Sequence, residues 1–245
     1  MIRGILTKTF VLAALVAAFT LVPSAKAEAT FMAFICQNQF CAGGTVVSAI
    51  DEGAGDAAPG IPGLIGMFAV GVGGLTTTSN ISLSKPAVPD PELDLQFGAS
   101  GVGAVWFYAT DTNYVLSAPL FGTIGGTISC GTCGSDVFAT DPGGQVIASV
   151  YGGSSNAQFP TAPPLATTGV LSGNPFSAAF GPGLPTTSPY SYTLELYIKR
   201  TVAGSTTGDV NTTTPIPEPA SMTLLGLGLS GLGAAYRRRR ARAKA

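Results

Sequence analysis

The chain has 245 residues, a net charge of −1, only 10% charged residues, 33 glycines, 18 prolines and no histidine. Without histidine it has no Ser-His-Asp or Cys-His nucleophile system and no imidazole metal centre, so any catalysis falls to carboxylates. The near-zero total hides an asymmetry: residues 28–216 set three cations, Lys85, Lys199 and Arg200, against twelve carboxylates, for −9, a sign that excludes nucleic acid and anionic lipid as partners of that region.

Taken in order, Arg3 and Lys8 precede an apolar run from Phe10 to Val22, then Pro23 and the small-x-small box Ala25-Lys26-Ala27. This pattern predicts a secretory signal peptide over 1–27, cleaved after Ala25-Lys26-Ala27, with the mature chain starting near Glu28. Export makes disulfides the natural use of Cys36-x4-Cys41 and Cys130-x2-Cys133. Three pairings are open to the sequence, and two local bridges are the expectation. A four-thiolate zinc site suits reducing compartments, and Cys130-Gly131-Thr132-Cys133 lies in a Gly-rich turn without the helix N-terminus that activates a redox thiol.

Residues 28–202 are expected to form one all-β domain, an antiparallel β-sandwich of jelly-roll-like kind. Alternation of period two is clearest from Tyr190 to Lys199, where Tyr190, Tyr192, Leu194, Leu196 and Ile198 alternate with Ser191, Thr193, Glu195, Tyr197 and Lys199, which predicts a half-buried strand. Leu93, Leu95 and Phe97 begin a second run, and Ala104–Thr110 a third. Ser100, Gly101 and Gly103 between them predict a hairpin or adjacent pair. Shorter strands are expected at 45–50, 67–72, 80–83, 114–116, 126–129 and 145–151, separated by Gly, Asp, Asn and Pro turns. The apolar run Ile61–Leu75 reads as buried strand plus loop, because Pro62, five glycines and its length argue against a membrane span. Seven prolines between Gln158 and Pro189 mark either a long ordered loop or an interaction segment. Ala203–Thr214, rich in Thr, Gly and Ser, reads as the start of a flexible linker over 203–219.

The end of the chain carries the sharpest signal. Pro215, Pro217 and Pro219 precede 17 uncharged residues, 220–236, and then Arg237, Arg238, Arg239, Arg240, Arg242 and Lys244. A helix over 220–236 would reach about 25 Å, close to a ~30 Å hydrocarbon core. By the positive-inside rule the basic tail 237–245 stays cytoplasmic and everything before it lies across the inner membrane. Pro217-Glu218-Pro219, a short apolar span and a terminal Arg cluster resemble the PEP-CTERM sorting signal of Gram-negative bacteria. The resemblance implies recognition by an exosortase, cleavage near the Pro-Glu-Pro, and transfer of the passenger toward the cell surface or extracellular matrix. No Leu-Pro-x-Thr-Gly is present for sortase attachment, and a GPI signal would end in its apolar tail.

The expected function is therefore that of an exported surface or matrix protein, structural or adhesive, with extracellular polysaccharide as a candidate partner and no catalytic residues or cofactor assigned. Two alternatives stand beside it: a glycoside hydrolase drawing on Asp90, Glu92, Asp94, Asp111, Asp136, Asp141 or Glu195, and a permanently anchored envelope protein. Asp51-Glu52…Asp56 and Asp90-Pro91-Glu92-Leu93-Asp94 offer oxygens to calcium but match no EF-hand loop, so they read as turn and edge residues. Trp106, Phe107 and Tyr108 offer rings for sugar stacking, although alternation sends Phe107 to the opposite face from the other two.

Overall fold

The structure, a computed structural model, describes residues 31–84, 92–114, 119–133, 139–153, 157, 159, 163–183 and 190–213. The expected signal peptide 1–27, the expected span 220–236, the basic tail 237–245 and the residues Pro217, Glu218 and Pro219 lie outside them. Within the described residues the strands are β1 (Met32–Cys36), β2 (Val46–Ile50), β3 (Leu64–Val72), β4 (Leu75–Ser84), β5 (Glu92–Gly101), β6 (Gly103–Tyr114), β7 (Leu120–Cys130), β8 (Gln145–Gly153), β9 (Ala166–Thr167), β10 (Phe176–Gly183), β11 (Tyr190–Arg200) and β12 (Gly204–Thr213). They form two six-stranded sheets, ordered β2-β1-β6-β11-β8-β9 and β10-β7-β12-β5-β4-β3. Every pairing is antiparallel. This is the antiparallel β-sandwich that the alternation predicts.

The core lies between the sheets. Ile35, Val105, Phe107, Val146, Leu194 and Leu196 from the first sheet meet Ile81, Leu93, Leu95, Ile124 and Val210 from the second, all at most 2% exposed. Burying each such aliphatic or aromatic side chain stabilises the fold by about 1.5–3 kcal/mol before entropy is counted. That drive selects the register, because a slip of one residue would turn every one of these side chains outward.

Four expectations are corrected. The two runs 93–97 and 104–110 are not a hairpin: β5 pairs with β4 and β12 in the second sheet, whereas β6 pairs with β1 and β11 in the first. The glycines between them serve a crossover. Gly103 has φ +147°, and a Cβ there would collide with the carbonyl oxygen of Gly73 in the β3–β4 turn. The linker expected from residue 203 is also wrong as far as residue 213. Gly204–Thr213 is β12, flanked by β7 and β5 near the middle of its sheet. The Pro-rich stretch 158–189 contains β9 and the edge strand β10. Finally, β11 is buried on both faces over most of its length.

The double burial of β11 has a local cause. Glu195 points away from the core, yet it is 4% exposed and accepts hydrogen bonds from the Tyr108 hydroxyl at 2.7 Å and the Tyr151 hydroxyl at 3.2 Å. Tyr108 in turn accepts from the Phe40 backbone N–H at 2.7 Å, and the Phe40 ring packs on Tyr108 and Tyr151 at centroid distances of 6.3 and 5.7 Å. The Cys36–Cys41 disulfide closes the loop that carries Phe40, and Cys130 is bonded to Cys133 at the end of β7.

A second buried charge joins the sheets. Arg200, the last residue of β11, donates through Nη1 to Thr206 Oγ1 at 2.6 Å, through Nη2 to the Ser129 carbonyl at 2.7 Å, and through Nε to the Gly101 carbonyl at 3.2 Å. Asp141 lies 3.9 Å from Nη2, with both side chains fully buried. Its carboxylate accepts from Thr201 Oγ1 at 2.5 Å and from the backbone N–H groups of Thr201 at 2.8 Å, Gly143 at 3.1 Å and Val202 at 3.3 Å.

Candidate functional site

The outer face of the second sheet is built from residues that alternate with its core positions. Across the strands one row reads Gly66, Asn80, Gln96, Asp209, Gly125, and the next reads Leu64, Ser82, Asp94, Asn211, Thr123. Amides and carboxylates thus stand side by side at strand spacing, a short polar strip with both donors and acceptors. Thr78 and Thr207 flank it across Gly98, where a Cβ would stand 2.7 Å from Thr78 Oγ1.

β3 adds an aromatic ring to this strip. The β3–β4 register shifts between Met67 and Val70, and Ala69 has φ +51°. Up to that shift the strand alternates, Ile65 and Met67 facing the core and Gly66 and Phe68 the outside. Met67 stays in the core at 2% exposure while Phe68 is turned out to 57%. The Phe68 ring edge lies over Gly66, close enough that a Cβ there would touch it at 3.4 Å, with Asn80 Oδ1 at 3.6 Å from the same point.

Two adjoining hollows open on this face. One of about 440 Å³ lies over Asp94, Gln96, Gly208, Asp209 and Asn211. The other, about 330 Å³, is bounded by Phe68, Thr78, Asn80 and Gln96, and both reach down to Phe97. Gly208 faces the core opposite Phe97, where a Cβ would stand 2.8 Å from the ring. The groove is wide and shallow, with one exposed aromatic ring and several convergent polar groups.

Its electrostatics are one-signed. None of the six strands of this sheet carries a Lys or Arg, and their three acids, Glu92, Asp94 and Asp209, all project outward. Partial burial pushes the Asp94 carboxyl above the usual carboxylate range, and the charges of Asp209 and Glu92 add to the shift. Glu92 also accepts from Asn211 Nδ2 at 2.6 Å.

The other residues that the sequence offered for chemistry lie elsewhere. Tyr108 is fully buried against Glu195, Phe107 is core, and Trp106 packs against Tyr197 with centroids 4.6 Å apart, so the three do not form an open sugar platform. Asp141 is taken up by the Arg200 clamp. Asp111 is fully buried in β6 and accepts from the Thr112 N–H at 2.7 Å. Asp56 accepts from the N–H groups of Ala58, Gly66 and Glu52 at 2.8, 3.0 and 3.3 Å, and Asp51 from that of Gly63 at 2.8 Å, so these two acids organise their own loop. Asp90 and Asp136 lie outside the described residues. Among the described residues no three His, Cys, Asp or Glu side chains come together as a metal set. Of the candidate acids among the described residues, Asp94 lines the groove and Glu92 stands beside it, bonded to Asn211. Their partners there, Asp209, Asn211 and Phe68, were hidden in a supposed linker and in an apolar run.

The PEP-CTERM protein-sorting motif matches residues 215–240, the stretch that holds Pro217-Glu218-Pro219 and Arg237–Arg240. The motif implies export and exosortase-mediated sorting of the chain. No curated protein matches it. Among solved structures, a carbohydrate-binding module of the β-sandwich superfamily, described for its promiscuous specificity, aligns over 74% of this chain and 71% of its own at 13% identity, with TM-score 0.33. The module TmCBM61, solved with β-1,4-galactotriose, aligns over 58% of this chain and 88% of its own at 3% identity, TM-score 0.32. The enzymatically active domain of bacteriophage CBA120 tailspike protein 4 aligns over 56% of this chain at 13% identity and TM-score 0.32; the match spans 18% of the tailspike chain.

Proposed function

We propose that this chain, which carries a PEP-CTERM sorting motif, is an exported, non-enzymatic passenger that binds extracellular polysaccharide through the outer face of its second sheet, as a structural or adhesive component of the cell surface or matrix. One observation carries the reading: an exposed ring, Phe68, stands beside a strip of amide and carboxylate groups over an open groove. A sugar ring presents an apolar C–H face and a rim of hydroxyls, and such a groove answers both. Hydroxyls pair with Asn, Gln and Asp side chains, and the C–H face covers Phe68. An open floor admits an internal segment of a polymer.

A carboxylate glycoside hydrolase is the second reading, favoured by the raised Asp94 carboxyl next to Asp209. Directly opposite pairs in the register are Asp94–Asn211 and Gln96–Asp209, so the two acids are diagonal neighbours on one flat face. Glycoside hydrolysis needs carboxyls opposed across the scissile bond, and binding is the better use of this geometry.

Affinity electrophoresis of the mature chain through gels holding β-linked polysaccharides tests the proposal. Retardation that Phe68→Ala weakens about tenfold, near 1.4 kcal/mol, with an unchanged unfolding midpoint, is expected. Equal retardation of the variant would remove Phe68 from the site, and hydrolysis abolished by Asp94→Asn would move the reading to the enzyme.

A further inference from the structure

The groove's charge narrows the class of glycan that it takes. The ligand surface extends over β3, β4, β5 and β12; among the described residues no strand of this sheet carries a Lys or Arg, while Glu92, Asp94 and Asp209 face the solvent together. A polymer of uronates or sulfates laid along this strip would bring its charges against these carboxylates with no strand cation to offset them. Neutral sugars meet no such penalty. A sugar with a free amine does more: its ammonium donates three hydrogen bonds and neutralises part of a cluster whose members repel each other. The positions suit this, because Asp94 and Asp209 are diagonal neighbours on adjacent strands with Gln96 and Asn211 completing the square, so one ammonium can reach both carboxylates while the amides hold neighbouring hydroxyls.

We propose that the groove selects an amino-sugar polymer in which part of the residues are de-N-acetylated, with Asp94 and Asp209 receiving the ammonium, and that it discriminates against uronate- and sulfate-bearing glycans. This rests on the binding function proposed above. It gives the strongly acidic passenger a partner of opposite charge, and it assigns to Asp209, in a strand without an apolar pattern, the part of setting specificity.

Isothermal titration of the mature chain with three hexamers tests it: β-1,4-glucosamine, its fully N-acetylated counterpart, and a hexauronate, at pH 6 in low and high salt. The glucosamine hexamer should bind roughly fivefold more tightly than the acetylated one at ~50 mM salt, as for exposed ion pairs, and the gap should close at ~500 mM. The hexauronate should not bind. Asp94→Asn/Asp209→Asn, which takes carboxylate acceptors away from both hexamers, should abolish the gap between them. Glu52→Gln, at an exposed acid of the β2–β3 loop outside the Asp94–Asp209 square, should leave the gap intact. Equal binding of the two hexamers by the parent protein, a gap that survives the double substitution, or one that Glu52→Gln removes equally, overturns the charge inference and leaves glycan binding standing. Failure of every hexamer to bind overturns both.

Discussion

Replacing Arg200 with Met should cost more stability than any single substitution on the groove. The guanidinium is fully buried and bonds Ser129 and Thr206 of the second sheet from the end of a strand in the first. Methionine keeps much of the aliphatic volume but leaves the Ser129 and Gly101 carbonyls without this donor, and Asp141 without a countercharge. Each stranded buried polar group costs about 1–3 kcal/mol, and breaking a buried charge pair from one side costs about 3–5 kcal/mol in total. We take about 4 kcal/mol as the expected loss, which for a domain of this size lowers Tm by about 12 °C. Urea and thermal unfolding, followed by the fluorescence of Trp106, measure it. The 3.9 Å separation makes the ion pair itself a minor part of the effect. A double-mutant cycle with Asp141→Asn should therefore return a coupling near 1 kcal/mol, the rest belonging to the hydrogen bonds from Arg200 to the second sheet. A loss below about 1 kcal/mol for Arg200→Met would refute the view that this residue clamps the sheets.

Three further outcomes follow from the same structure. Gly103→Ala puts a Cβ against the Gly73 carbonyl at a φ that favours glycine, and should destabilise the domain by at least about 3 kcal/mol in urea unfolding; a near-neutral result would mean that the crossover rearranges freely. Burial works to raise the Asp141 carboxyl, but its donors from Thr201, Val202 and Gly143 outweigh that and hold it below the usual range. Its stabilisation is thus present above the unfolded value near ~3.9 and lost as pH falls through the lower folded value. Stability of the parent should drop below about pH 4 more steeply than that of Asp141→Asn, and parallel curves would contradict it. Phe68→Ala, on a ring already 57% exposed, should change folding stability by no more than about 0.5 kcal/mol, so that any loss of glycan binding reports on the site.

The sandwich was legible because its central strands keep the period of two. Leu93, Leu95 and Phe97, and Leu194, Leu196 and Ile198, face the core as the alternation requires. Their second faces were not legible, since the cover over Glu195 comes from Phe40 and Tyr151, far away in sequence. β12 escaped notice for a packing reason. Its inward positions include the small Thr206, Gly208 and Thr212, with Gly208 lying under Phe97, so the strand carries almost no hydrophobic signal. Two of the groove's polar groups, Asp209 and Asn211, vanished with it. Phe68 was missed because it sits in a continuous apolar run that reads as buried, although on β3 it alternates with the core residues Ile65 and Met67. The pair Gly101 and Gly103 reads as a hairpin turn in sequence, yet supplies the close approach that a crossover between sheets requires.

Backbone hydrogen exchange of the mature chain, with and without saturating glucosamine hexamer, tests the central claim most directly. Added protection confined to peptides covering residues 64–84, 92–101 and 204–213, with β1, β6, β8 and β11 unchanged, is the predicted result. Protection on the first sheet instead, or none anywhere at saturation, would contradict the assignment of the outer face of the second sheet as the ligand surface.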